Sequence, residues 1–145
     1  MGLQASYDKD VVAWANEQAA LLRNGRFSEL DIEHIADEVE DVGKSERRAL
    51  SSRMSVLLMH LLKWKYQPER RGKIWRKTTD HQRIVIARWV TDMPSLKASL
   101  DDSAWWFETW GDAVYSATKE TGLEDFPDSC PWTYQQIMDS NFWPD

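Results

Sequence analysis

The chain has 145 residues, of which 42% are hydrophobic and 29% charged, with a net charge of −6; that balance suits a globular domain and excludes a disordered tail. The single cysteine, Cys130, excludes an intrachain disulfide and a paired-cysteine zinc site and fits a reducing compartment. The longest apolar run, Val56–Leu62, is interrupted by His60 and falls far short of the roughly 20 residues a membrane helix needs.

Helical periodicity dominates from the start. Residues 8–24 place Val11, Ala15, Ala19 and Leu22 on one face, with Gly25 as a stop. No basic-then-apolar leader precedes this helix, although the opening MGLQAS matches the Met-Gly-x-x-x-Ser acylation pattern. A second helix is predicted from Ser28, with Ile32, Ile35, Ala36, Val39 and Val42 as its buried stripe and Gly43 as its end or bend. His34, Asp37 and Asp41 fall on the opposite, solvated face.

A third helix is predicted over 45–66, with Leu50, Met54, Leu57, Leu58, Leu61 and Leu62 in one ridge. Its apolar surface covers so much of the circumference that this helix belongs at the centre of a bundle. Pro68 and Gly72 mark a connector. A fourth helix follows over 74–91, with Ile84, Ala87, Trp89 and Val90 as core candidates. Pro94 opens a fifth, which runs to Thr121 with Leu96, Leu100, Ala104, Phe107, Gly111, Val114 and Thr118 on one face; Gly122 stops it. An acidic loop with two prolines leads to a short helix over 132–138. No segment alternates as a strand does. The expectation is a single all-α domain over 1–145, a bundle of about five main helices plus a short C-terminal one, with helix 45–66 central.

Charge is laid out in blocks. Residues 1–43 carry 3 basic and 10 acidic side chains, net −7; residues 44–97 carry 14 and 4, net +10; residues 98–145 carry 1 and 10, net −9. The basic block either packs beside the acidic ones or meets an anionic ligand. Its densest part interleaves Lys63, Lys65, Arg70, Arg71, Lys73, Arg76 and Lys77 with Trp64, Tyr66 and Trp75. Cations bind phosphate and exposed rings stack on bases, so these seven residues are the candidate anion- or partner-binding set. The 9 tryptophans serve mainly as core area. Trp105 and Trp106, adjacent on one helix, cannot face the same way.

Catalytic patterns are absent from the sequence. Di-metal bundles use Glu-x-x-His pairs on facing helices; Asp31-x-x-His34 approaches this, but the residue three before His60 is Leu57. The glycines are isolated, with no phosphate-binding loop, and no nucleophile elbow occurs. Cys130 precedes Pro131 as a helix-entry residue. No cofactor, metal or catalytic residue is therefore assigned, and the chain reads as a module rather than an enzyme.

Several local motifs stand out together: His60-Leu61-Leu62-Lys63-Trp64, Tyr66-Gln67-Pro68, Thr121-Gly122-Leu123, Cys130-Pro131-Trp132 and Phe142-Trp143-Pro144. From about Tyr7 to Pro144 the chain resembles the bacterial family catalogued as domain of unknown function twenty-nine. The resemblance implies a small helical protein of the bacterial cytoplasm and carries over no activity, cofactor or site residue. The expected function is a non-catalytic helical module that binds another protein or itself. Nucleic-acid or other anionic-ligand binding through residues 63–77 is the alternative, and a metal-dependent bundle enzyme a distant third. No membrane partner is expected.

Overall fold

The computed structural model describes residues 6–145; the glycine of the acylation pattern lies outside them. Every regular element among the described residues is helical. In chain order they are α1 (Val11–Arg23), α2 (Ile32–Tyr66), α3 (Lys73–Asp92), α4 (Lys97–Leu100), α5 (Ser103–Thr121) and α6 (Tyr134–Met138), with short 3-10 turns at Phe27–Glu29, Pro68–Arg70 and Pro94–Leu96. The contacts group into two compact units, one up to Ser45 and one from Glu46 onward.

In the N-terminal unit, Asp10 caps α1 by accepting the Ala13 N–H at 3.1 Å. Gly25, at φ +70°, ends the helix in the left-handed region. The Arg26 and Gly25 amides return to the Leu21 and Leu22 carbonyls at 2.9 and 3.2 Å, which closes a Schellman stop. The buried face of α1 is Trp14, Gln18 and Leu21, not the predicted Val11/Leu22 line. Both of those residues are exposed, because the indole of Trp14 claims the packed side.

The predicted second and third helices are one. α2 is continuous for 35 residues and passes through Gly43. Glycine in a helix costs about 1 kcal/mol, too little to break a helix with strong formers on both sides. Of the stripe predicted to be buried at its N-terminal end, Ile35 is half-buried and the other four residues are turned outward. Ile32, Val39 and Val42 are 67%, 66% and 66% exposed, while His34, Glu38 and Asp41 on the opposite side are half-buried. The polar face is the packed one.

In the C-terminal unit the α2 ridge behaves as its spacing predicts. Leu50, Met54, Leu57, Leu58, Leu61 and Leu62 are all buried, and Ile86, Val90, Leu96, Trp105, Trp110, Ala113, Ala117 and Ile137 close around them. α3 contributes Thr79, Arg83, Ile86 and Val90. Ile84 and Ala87, predicted as core, face out, because the α3 phase is set by a buried arginine. α5 is also rotated from its predicted face. Its buried positions are Trp105, Thr109, Trp110, Ala113 and Ala117, and Phe107 is 75% exposed. The reason is local: Asp102 accepts the Ala104 N–H at 2.9 Å and starts a new helix at Ser103, so the periodicity from Leu96 and Leu100 does not carry through. Gly122, at φ +73°, stops α5 as predicted. Thr133 and Gln136 form a reciprocal capping box that opens α6.

Candidate functional site

The basic-aromatic segment lies at the C-terminal end of α2, the following turn and the first turns of α3. Its rings are not free platforms. Trp64 and Trp143 meet with centroids 4.5 Å apart. The Arg71 guanidinium lies 5.2 Å from the Trp64 ring. Arg76 lies 5.1 Å from Trp64 and 4.9 Å from Trp143. Arg83, from the next turns of α3, also lies 4.9 Å from the Trp143 ring. Each cation–π contact is worth about 0.5–2 kcal/mol depending on desolvation, and the group ties the closing Phe142-Trp143-Pro144 segment to α2 and α3.

Hydrogen bonds complete this clamp. Arg71 donates through Nε to the Trp64 carbonyl at 2.7 Å. Arg83 is only 4% exposed. It donates to the carbonyls of Ile137 and Phe142, both at 2.7 Å, and to Asp80 at 3.1 Å. A buried cation is costly unless every donor is used, and these carbonyls supply the acceptors. Sequence reading missed Arg83. Its one signal is position, since it is four residues after Thr79 and three before Ile86 on the buried line.

Of the seven candidate cations, Lys63 pairs with Glu120 at 2.7 Å and lies 4.8 Å from the Trp75 ring. Lys65 lies over Tyr66 at 5.7 Å. Arg71 and Arg76 belong to the clamp. Arg70, Lys73 and Lys77 are exposed and have no side-chain partner among the described residues. The structure thus divides the predicted set into four cations engaged with rings or partners and three turned to solvent.

A second constellation organises the N-terminal unit. Asp31 accepts from the Trp14 indole at 2.9 Å and from His34 Nδ1 at 2.7 Å. The Asp31 N–H donates to the Gln18 side chain at 2.8 Å. The Tyr7 ring stacks on His34 with centroids 4.1 Å apart, and its hydroxyl donates to Glu38. The bond to Glu38 pushes the Tyr7 hydroxyl up to about 12. The same logic holds the Asp31 carboxyl below its ordinary range and lifts His34 above its own. His60 goes the other way: burial lowers it, although its Nδ1 bonds the Val56 carbonyl at 2.8 Å. Among the described residues no three His, Cys, Asp or Glu side chains converge as a metal ion requires.

A third region escaped sequence reading. A cleft of about 550 Å³ opens between the Leu100–Trp110 stretch and the loop that leads into α6. Trp106, Phe107, Trp110, Trp132 and Tyr134 line it, with Asp101 and Asp128. The Trp106 indole donates to the Leu100 carbonyl at 2.7 Å and the Trp110 indole to the Pro127 carbonyl at 2.8 Å. Cys130, also on its wall, donates to the Trp132 carbonyl at 3.4 Å, and burial pushes its thiol up, away from the reactive thiolate. The Trp105-Trp106-Phe107 run was its one visible trace in the sequence.

The match of residues 6–143 settles the family. The chain belongs to the family described as Domain of unknown function DUF29. No curated protein and no solved structure matches it. No helix among the described residues is long and apolar enough to cross a membrane.

Two outcomes follow. Arg83→Met leaves two carbonyls without their donor and is expected to destabilise the protein by about 1.5–3 kcal/mol in urea unfolding, against at most about 0.5 kcal/mol for Arg70→Ala; equal effects contradict the clamp. For His34, whose folded value is raised, the stabilisation is complete below the ordinary histidine value and fades as pH rises through the folded one. For Asp31, whose folded value is lowered, it is present above the ordinary carboxyl value and fades as pH falls through the folded one. An NMR titration should place the His34 midpoint above 6.5 and the His60 midpoint below it. A reversed order contradicts both assignments.

Proposed function

We propose that this chain is a non-catalytic helical module that works through protein–protein contact, with a second copy of itself as the partner. The observation that carries this reading is the outward stripe of α2. A helix that packs its polar side and exposes Ile32, Val39 and Val42 has an apolar face left to bury. The positions 32, 35, 39 and 42 follow the three-four-three spacing of a helix-pairing seam, with Ile35 half-buried at its edge. Ala36 and Gly43 lie on the same exposed face, and small side chains there let a second helix approach closely. Identical stripes pair about a two-fold axis, the commonest arrangement of homo-oligomers. The reading places the module in a bacterial cytoplasm, in line with its single unpaired cysteine.

A second reading rests on Arg70, Lys73 and Lys77. These three unpartnered cations cluster around Gly72, which starts α3 without a side-chain cap. Such a surface suits an anionic ligand, nucleic acid included.

Light scattering over a concentration series separates the readings. The protein is expected to be a dimer, and Val39→Asp with Val42→Asp is expected to give a monomer of unchanged helicity. Both positions are exposed, so the change costs the fold little. A strict monomer at every concentration, or a dimer that survives the double substitution, overturns self-association. Salt-sensitive retention of single-stranded DNA or RNA, lost in the Arg70/Lys73/Lys77 triple alanine variant, is the result the second reading expects; no retention at low salt removes it.

A further inference from the structure

We propose that the aromatic cleft beside α5 binds a small organic cation with an apolar body, such as an aryl-alkyl amine or quaternary ammonium. The site is independent of the α2 stripe. Its volume of about 550 Å³ lies within the range of small-molecule pockets, roughly 300–1,000 Å³. Ring faces carry negative potential and attract cations, and aromatic cages are the usual receptors for ammonium groups. Trp106 and Trp110 are held in place by their indole N–H bonds to backbone carbonyls. Trp132 is braced by Trp110 and Phe142, with centroids 5.8 and 6.0 Å away. The walls are therefore preorganised, and little ordering cost remains for a ligand.

Charge selects the class of ligand. The charged side chains lining the cleft are Asp101 and Asp128, and neither has a side-chain partner among the described residues. The single basic residue of the C-terminal third, Lys119, lies over the Tyr115 ring at 5.4 Å. An anion entering the cleft meets two carboxylates and no cation. A neutral aromatic body gains the ring contacts alone. A cation gains both, with its head at the carboxylates and its body against Trp106, Phe107 and Trp132. The Tyr134 hydroxyl, which has no hydrogen-bond partner among the described residues, offers one further polar contact. Two carboxylates without a third ligand do not suit a metal ion, and the Cys130 thiol, bonded to the Trp132 carbonyl, leaves the binding reversible and non-covalent.

The test titrates the full chain with benzyltrimethylammonium, benzyl alcohol and benzoate. It follows heat of binding and the indole N–H signals of Trp106 and Trp110. The cation is expected to bind about tenfold more tightly than the alcohol, the scale of an ammonium head's attraction to two solvent-exposed carboxylates, and benzoate not to bind. Asp101→Asn with Asp128→Asn, both at exposed positions, is expected to remove most of that preference without shifting the melting temperature. Phe107→Ala, also at an exposed position, is expected to weaken the cation several-fold. Equal affinity for cation and alcohol, no binding up to millimolar probe, or full affinity in the double asparagine variant overturns the proposal. An unstructured Arg- and Lys-containing peptide forms a further arm. If it binds where the small cation does not, the free-ligand assignment fails and the cleft is a receptor for side chains.

Discussion

The leucine ridge of α2 between Leu50 and Leu62 has to be covered on almost every side, and the C-terminal unit is the arrangement that covers it. Fully burying one leucine contributes about 1.5–3 kcal/mol relative to leaving it in water, and five leucines of this segment are buried. α3 meets the ridge with Ile86 and Val90, and α5 with Ala113 and Ala117. Polar groups inside this shell are matched: Ser51 and Thr109 share a hydrogen bond at 2.7 Å, and no buried side-chain nitrogen or oxygen among the described residues lacks a partner. Arg83 closes the shell by holding the α6 end and the final segment through their carbonyls.

Before Ser45 the same helix follows a different rule. There α2 rests on an aromatic and polar cluster of Tyr7, Trp14, Asp31, His34 and Glu38, while its aliphatic stripe faces out. One helix thus turns an apolar ridge into a core at one end and an apolar stripe to solvent at the other. The charge blocks fit this division. Five of the fourteen cations of the middle block, Arg53, Lys63, Arg71, Arg76 and Arg83, are engaged with indole rings, and Lys63–Glu120 is a direct tie from the basic block to an acidic one. Two unpaired carboxylates of the C-terminal third, Asp101 and Asp128, stand where the aromatic cleft opens.

What the sequence made legible was the part governed by periodicity alone. The ridge from Leu50 to Leu62 is unambiguous at helical spacing, as are the stops at Gly25 and Gly122. The phases of α3 and α5 were not legible. Arg83 occupies a core line no hydrophobic pattern marks, and the Asp102 cap resets the count for everything after it. The outward turn of Ile32, Val39 and Val42 was hidden for a related reason. Periodicity shows that a stripe exists, not which side of the helix its neighbours take, and here Trp14 and Tyr7 take the polar side. In the candidate segment the residue types were right for an interface, but the partner of Trp64 lies almost eighty residues away at Trp143. The cleft draws its walls from residues between 100 and 135, and no local spacing joins Trp106 to Trp132.

Residue-resolved native-state hydrogen exchange tests most directly the claim that α2 is one helix anchored by its ridge and only lightly held before Ser45. The account predicts that amides of Leu50–Leu62 exchange only through global unfolding, that those of 35–42 open earlier through a local step, and that protection runs through Gly43 without a gap. Equal protection at both ends in the monomeric Val39/Val42 double variant, or an unprotected break at Gly43, would contradict it.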